Sequence, residues 1–223
     1  MFLYISDLSK REVSGEESAH WWSLRPKVGQ MYTITDLQGS KAVVEIQEVQ
    51  KTNQRISFHI QSITKLPPKP PRILFQAITD KIYLDKMVEV LGVLGVEQIY
   101  LFEAQNSIKL TPNITRLQKI ILRSNEQSQQ VWGTRLDIIN TNQLWSQAQH
   151  IRPVVLELSS KSISKPQNSE STSKYSVLIG PEGGWSGSEV NTFNQHNLNF
   201  YSLGEAVYPS WLSGFVYFSR ILS

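Results

Sequence analysis

Leu178-Ile-Gly-Pro-Glu-Gly-Gly-Trp-Ser-Gly-Ser-Glu-Val190 is the most informative segment of this sequence. It follows Tyr175-Ser-Val-Leu-Ile-Gly180, a short apolar run typical of a buried strand. Within it, Ser186-Gly-Ser-Glu189 has the spacing of a capping box, which predicts that a helix begins there. Glycines between a strand and a helix let a ligand approach bare backbone and free helix N–H groups. The segment therefore predicts a strand–loop–helix unit that is either a ligand site or an ordinary turn.

Two features favour a ligand site. Glu182 places a carboxylate inside the loop, which disfavours phosphate as the ligand, and the loop lacks the lysine of a phosphate-binding loop of the Walker type. A second glycine turn, Leu203-Gly204, follows one helix and one strand later. We therefore expect the two glycine turns to lie side by side at one edge of a sheet.

Ile179-Gly-Pro-Glu-Gly-Gly-Trp-Ser-x-x-Glu189, followed by Ser202-Leu-Gly204, resembles the RsmE family. These are small-subunit ribosomal RNA uridine-N3 methyltransferases of the SPOUT (trefoil-knot) class. The resemblance implies a homodimer that binds S-adenosylmethionine through backbone groups of knotted loops. It implies these cofactor-binding residues: Leu156, Ile179, Gly180, Gly183, Leu203, Gly204 and Val207.

The composition excludes several classes of protein. Among the 223 residues there is no cysteine, so there is no disulfide framework and no thiolate metal site, and four scattered histidines give no metal-binding spacing. The sequence predicts neither a signal peptide nor a membrane span, and we expect a cytoplasmic protein. The net charge is only +3, but residues 1–72 hold ten Lys/Arg against seven Asp/Glu. That surplus is compatible with RNA contact in the N-terminal part.

Residues 1–66 are predicted to be rich in β-structure. Met31–Thr35, Ala42–Val49 and Arg55–Ile63 are β-branched, partly alternating segments separated by turns, which favours a small barrel. The family has a PUA-like RNA-binding barrel in this position.

His20, Arg25, Lys27 and Gly29 match the spacing of a family motif that precedes the barrel. The resemblance makes Arg25 and Lys27 candidate RNA contacts. The alternative is that Trp21 and Trp22 are core or tip residues and that Arg25 is an ordinary solvated charge.

Residues 67–72 form a proline-rich linker within Leu66-Pro-Pro-Lys-Pro-Pro-Arg72, the clearest domain boundary in the sequence. Residues 73–223 then alternate between strand and helix patterns, which predicts a mostly parallel α/β sheet. By the resemblance, this part is the SPOUT methyltransferase domain, and only the resemblance implies a knot. Residues 159–174 are strongly polar and are predicted to be a mobile loop or insertion, either a plain exposed one or a lid.

The last stretch, Ser210 to Leu222, is predicted to be a helix with Ser210 as its N-cap. Its apolar positions are Leu212, Phe215, Val216 and Ile221. The resemblance makes this helix a dimer contact, whereas packing within one chain is the alternative.

The departures from the family pattern fall where chemistry is expected. The family has Arg, Glu and Thr at the positions of Pro209, Trp211 and Leu212, and an Arg at the position of Gln130. Methylation of uridine N3 needs removal of a proton and stabilisation of charge on the base oxygens, and an Arg and a carboxylate suit that work. No catalytic residue is therefore assigned. The remaining loop carboxylate, Glu182, is expected to accept backbone N–H bonds rather than to act in catalysis.

Two functions remain open. One is an S-adenosylmethionine-dependent methyltransferase acting on uridine N3 of small-subunit ribosomal RNA. The other is an RNA-binding relative that keeps the fold but has lost the chemistry.

Overall fold

The computed structural model describes residues 2–157 and 175–222. The predicted polar segment at 159–174 lies outside these residues. The chain divides into two compact units, one comprising the residues up to Lys69 together with Leu122–Gly133, and the other comprising Pro70–Ile121 and Thr134–Ser223. The N-terminal boundary of the second unit falls within the proline-rich segment.

The first unit is a five-stranded mixed sheet with one helix. Its elements are β1 (Leu3–Tyr4), β2 (Glu12–Val13), α1 (Gly15–Ser23), β3 (Met31–Thr35), β4 (Ser40–Gln50) and β5 (Arg55–Lys65). The strand order is β1-β3-β4-β5-β2, in which only β1 and β3 pair in parallel. The three long strands lie where alternating β-branched residues predicted them. The helix α1 and the two short strands are additional elements.

The core of this unit is built from alternate residues of β3, β4 and β5 and from one face of α1. Trp21 is almost fully buried and stacks on Phe58, with 5.3 Å between the ring centroids. The fully buried side chains of Ile34, Val44 and Ile46 complete the layer. The predicted core position of Trp21 is therefore confirmed, whereas its neighbour Trp22 is only half-buried.

The second unit is a parallel α/β sheet. Its strands are β6 (Ile73–Ala77), β7 (Gln98–Phe102), β8 (Arg135–Ile139), β9 (Val154–Leu156), β10 (Ser176–Ile179) and β11 (Phe200–Tyr201). Its helices are α2 (Lys81–Leu94), α3 (Ile114–Gln127, whose last residues belong to the first unit), α4 (Thr141–Ile151), α5 (Gly187–Gln195) and α6 (Ser210–Leu222). The order is β11-β9-β10-β6-β7-β8, and every pair is parallel. The predicted parallel α/β architecture is confirmed.

Helices cover both faces of this sheet. On one face α2 buries Leu84, Met87, Val88 and Leu91, which are spaced at helical intervals. On the other face, Leu144 of α4 and Phe193 of α5 pack against the sheet. Because the sheet is buried on both sides, its central strands β6 and β10 are apolar apart from Gln76 and Ser176, as is usual for parallel strands.

The helix predicted from Ser210 to Leu222 is confirmed as α6, but Ser210 is not its N-cap. The residues Leu212, Phe215, Val216 and Ile221 are only half-buried, and the buried face instead carries Ser213, Gly214, Tyr217 and Phe218. The reason is close packing: a Cβ on Gly214 would lie 3.2 Å from Leu74 Cδ1 and 3.3 Å from Ile179 Cδ1. The residue preceding the helix, Pro209, provides the carbonyl that accepts the first helical N–H bonds, so Ser210 is the first helical residue rather than the N-cap.

Candidate cofactor cleft

The glycine-rich loop joins β10 to α5 as a tight turn. Gly184 N donates to Pro181 O at 2.9 Å, and Gly184 has a left-handed backbone with φ of +71°. The helix then begins with the predicted capping box, in which Ser186 and Glu189 satisfy each other's backbone N–H groups. The sequence signature of this strand–loop–helix unit is therefore confirmed in detail.

Trp185 holds the loop against the sheet. Its indole Nε1 donates to Leu156 O at 3.0 Å, and its ring meets Phe193 edge-on with 4.7 Å between centroids. The same ring lies over Gly180, where a Cβ would come within 2.9 Å of Trp185 Cε2. Gly180 is therefore required because an aromatic side chain packs directly on its backbone. A left-handed backbone is not the reason, because Gly180 does not have a positive φ.

Ser210, at the N-terminus of α6, joins the loop to that helix. Its backbone N–H donates to Glu182 Oε1 at 2.9 Å, and its hydroxyl donates to Gly180 O at 2.5 Å. The same hydroxyl accepts a hydrogen bond from Nε2 of the fully buried Gln76, at 2.8 Å. Glu182 therefore accepts a backbone N–H as expected, but from α6 rather than from its own turn. A carboxylate at this position also complements the positive end of the helix.

The second glycine turn is tied to the same helix. Gly204 has φ of +97°, and its N–H donates to the hydroxyl of Ser202 at 3.2 Å. From α6, the guanidinium of Arg220 donates to Leu203 O and to the hydroxyl of Tyr208. This arrangement orders the connection between β11 and α6.

Together the two turns and the ends of three strands form an open cleft with an empty volume of about 640 Å³. Five predicted residues line it: Leu156, Ile179, Gly180, Leu203 and Gly204. The two glycine turns thus meet at one site, although β9 lies between their strands in the sheet.

Two other predicted residues are at its margin. Gly183 lies beside Asn106, where its own Cβ would be 3.2 Å from Asn106 Cβ, and the side chain of Val207 is 74% exposed. Their neighbours Gly184, Ala206 and Tyr208 line the cleft instead.

Sequence reasoning missed several residues of the cleft. Glu157 directly follows β9, and Tyr201 ends β11, so both lie at the carboxyl edge of the sheet. Ser213 and Ser210 also line it from α6. The position of Glu157 at a strand end was a usable signal, because ligands of open α/β sheets bind at that edge.

Trp211, at the position where the family pattern has a glutamate, packs against an aromatic ring and does not line the cleft among the described residues. Trp211 stacks on Tyr83 of α2 with 5.7 Å between centroids and an angle of 8° between the rings. Lys86 Nζ lies 5.7 Å from the Tyr83 ring and 5.9 Å from the Trp211 ring. Trp211 is therefore part of the surface formed by α2 and α6.

The predicted RNA contacts lie in the first unit, in the connection between α1 and β3. Arg25 and Lys27 are both exposed. The backbone of Arg25 is left-handed with φ of +50°, and its N–H donates to Trp22 O at 3.0 Å, which fixes the turn.

Within residues 2–157 and 175–222, no group of three or more His, Cys, Asp or Glu side chains could hold a metal ion. In the same described part of the chain, none of the helices is long and apolar enough to span a membrane.

The sequence model of the RNA methyltransferase domain matches residues 67–208, more than half of the chain. This chain belongs to that family. None of the curated proteins matches it.

Solved structures with the same fold cover almost the whole chain. A probable rRNA methyltransferase from Porphyromonas gingivalis superposes with a TM-score of 0.83 at 21% identity, covering 98% of this chain and 95% of its own. Ribosomal RNA small subunit methyltransferase E from Neisseria gonorrhoeae, bound to S-adenosyl methionine, gives 0.82 at 16% identity, with 99% and 96% covered. A putative methyltransferase from Legionella pneumophila, in complex with the cofactor SAM, gives 0.78 at 21% identity, with 94% and 90% covered.

These family relationships confirm the predicted fold class, a PUA-like β-domain followed by a SPOUT α/β domain, and the resemblance to the RsmE family. At such low identity the structural likeness concerns the fold alone.

Proposed function

We propose that this protein is an S-adenosylmethionine-dependent methyltransferase that acts on N3 of a uridine in small-subunit ribosomal RNA. Membership of the RNA methyltransferase family supports methyl transfer to RNA. The observation that carries the cofactor assignment is the cleft formed by the Gly180 and Gly204 turns.

The residues of the cleft fit an adenosine-bearing cofactor. The apolar side chains of Leu156, Ile179 and Leu203 suit an adenine ring, and the glycine turns expose backbone groups that can bind its edge. When bound, S-adenosylmethionine supplies an electrophilic methyl group.

In this proposal the first unit contacts RNA through Arg25 and Lys27. Both side chains are exposed and basic, and they are two residues apart on a turn whose backbone is fixed by hydrogen bonds. Contacts of this type go to phosphates and give affinity without sequence preference. Replacing both residues by Ala should weaken RNA binding and flatten its salt dependence.

We also propose that the protein is a homodimer and that α6 contributes to its interface. The half-buried Leu212, Phe215 and Val216 give α6 an apolar face that its own unit covers only in part. Nearby on α2, Ile82 is 63% exposed and Tyr83 is 41% exposed. Light scattering of the purified protein tests this proposal, because a monomeric mass would contradict it. The trefoil knot and a cytoplasmic location remain predictions.

A second candidate is an RNA-binding relative that has lost catalysis. The specific observation is Trp211, which occupies the family's carboxylate position and stacks on Tyr83. Pro209 supplies neither a charge nor an N–H group, and its carbonyl accepts the first N–H hydrogen bonds of α6, from Leu212 and Ser213. On this alternative the cleft would bind the cofactor without turnover.

Methyl transfer from S-adenosylmethionine, tritiated in its methyl group, to unmodified small ribosomal subunits tests the function. Mass spectrometry of the digested RNA then identifies the methylated nucleoside. Formation of 3-methyluridine is the expected result. Cofactor binding without any methylated nucleoside would favour the inactive relative, and a different methylated nucleoside would overturn the uridine-N3 assignment. Gly187→Ala should be as active as the wild type, because a Cβ there meets no atom within 4 Å, and it serves as the control for adding a methyl group near the loop.

A further inference from the structure

The cleft has an unusual distribution of charge for a nucleotide-type site. Two carboxylates line it, Glu157 and Glu182, and none of the described residues that line it is a lysine, arginine or histidine. A site of this composition repels phosphates and other anions and attracts cations.

The fold brings these two carboxylates to the same place. Glu157 follows β9 and Glu182 lies in the loop after β10, and these neighbouring strands are paired in parallel, with Val177 opposite Val154. Paired strands lie about 4.8 Å apart, and both chain ends leave the sheet at its carboxyl edge. The backbone of Glu157 is fixed there because its N–H donates to Tyr201 O at 3.1 Å.

A cation lies next to the cleft without lining it. The guanidinium of Arg220 on α6 donates to Leu203 O and to the hydroxyl of Tyr208, two residues that line the cleft, and it lies 5.8 Å from the centre of the Tyr208 ring. Counted together, these three side chains carry a net charge of −1 in their ordinary ionisation states.

The methyl donor and its product differ in charge by one unit. S-adenosylmethionine has a sulfonium, an ammonium and a carboxylate group, for a net charge of +1. When the methyl group moves to a nucleophile, the S–C bonding pair stays on sulfur, and the sulfonium becomes a neutral thioether. S-adenosylhomocysteine therefore has no net charge.

We propose that Glu157, with Glu182, makes this cleft select the cationic methyl donor over its neutral product. This inference rests on the proposed cofactor site. Glu157 acts as a specificity-determining residue: its negative charge attracts the cationic donor, and this attraction is lost when the sulfonium becomes a neutral thioether, which promotes product release. Glu182 adds to the same field, while its Oε1 also holds the N–H of Ser210.

Isothermal titration of the purified protein with each of the two ligands tests the proposal. The wild type should bind S-adenosylmethionine on the order of tenfold more tightly than S-adenosylhomocysteine at low salt, and the ratio should shrink as salt is added. Glu157→Gln should weaken the donor about fivefold or more and change the affinity for the product less than about twofold. Glu182→Gln keeps an oxygen for Ser210 N–H and removes only the charge, so it should shift the ratio in the same direction.

Glu89→Gln is the matched control, because Glu89 is exposed on α2 and does not line the cleft among the described residues. It should leave the ratio unchanged. Equal weakening of both ligands by Glu157→Gln would mean that Glu157 binds a group common to both, such as the ribose hydroxyls, and would overturn the proposal. An unchanged ratio would overturn it as well. If the wild type binds neither ligand, the proposed cofactor site itself is wrong, which is a distinguishable failure.

Discussion

His20 Nδ1 and Glu126 Oε2 lie 2.6 Å apart, although 106 positions separate the two residues in sequence. Glu126 is almost fully buried, and its other oxygen accepts a hydrogen bond from Tyr4 N at 2.9 Å. His20 belongs to the segment that matches the spacing of a family motif ahead of the barrel. Their pairing gives that match a structural explanation, because it joins α1 and β1 to the last turn of α3 within the first unit.

Replacing Glu126 by Ala should destabilise the first unit. The substitution leaves the partly buried Tyr4 N–H and the imidazole of His20 without their acceptor, and an unsatisfied buried group costs about 1–3 kcal/mol. Urea denaturation followed by tryptophan fluorescence measures the change. Glu89→Ala, at an exposed position of α2, is the control for loss of a helical glutamate and should have little effect. Equal stability of the two variants would show that the pair contributes nothing.

Gly180→Ala should damage the cofactor cleft. The new methyl group would lie 2.9 Å from Trp185 Cε2, so the indole that holds the loop must move. Overpacking of this kind costs about 1–3 kcal/mol, and we expect affinity for S-adenosylmethionine to fall about tenfold or more. Gly187→Ala adds the same methyl group to open space in α5 and should bind normally. Calorimetry that finds the same affinity for both variants contradicts this account of Trp185.

Ser210→Ala should loosen the connection between the loop and α6. The hydroxyl of Ser210 both donates to Gly180 O and accepts from Gln76, and Gln76 is fully buried. Its loss should cost about 1–3 kcal/mol of stability. It should also increase hydrogen exchange at Gly183 and Gly184. Ser146→Ala, at an exposed position of α4, is the control. Unchanged exchange in the loop would mean that Ser210 is not what orders it.

The Glu17 carboxylate makes the stability of the first unit pH-dependent. It accepts a hydrogen bond from Ser6 N and pairs with Lys10 at 3.0 Å. Burial alone would raise its pKa, but these hydrogen bonds from Ser6 and Lys10 outweigh burial and hold the pKa below the ordinary value of 4.5. A lowered folded-state pKa adds stability above 4.5, and that stability is lost as the pH falls through the folded pKa.

Denaturation of the wild type and of Glu17→Gln across a pH series tests this linkage. The wild type should be more stable at pH 7, and the difference should shrink as the pH falls below 4.5 and disappear where the carboxyl group is protonated in both the folded and the unfolded state. If the wild type stays more stable than Glu17→Gln in acid, the packing or hydrogen bonding of the side chain, and not its charge, is responsible.

Much of the fold was predictable because local chemistry determines it. The capping box of Ser186 and Glu189 is a short-range signal, and α2 has an apolar face with helical spacing. The buried face of α6 was not predictable, because Ser213 and Gly214 are small and their burial becomes visible only in the packing, where Gly214 lies against Leu74 and Ile179.

The parts of the site that need glycine were predictable from the sequence. The parts that depend on contacts between side chains distant in sequence were less predictable. Glycine at positions 180 and 204 marked the two turns directly. Trp185 and Ser210 act through contacts that depend on which strands are neighbours in the sheet. No local pattern encodes that order, so these residues became visible only in three dimensions.

Calorimetric titration of the wild-type protein with S-adenosylmethionine tests the central claim most directly. The account predicts one site per chain with micromolar affinity, about −8 kcal/mol, and loss of that affinity in Gly180→Ala but not in Gly187→Ala. A folded wild-type protein that shows no heat of binding at high micromolar concentration would contradict the assignment of the cleft between the Gly180 and Gly204 turns as a cofactor site.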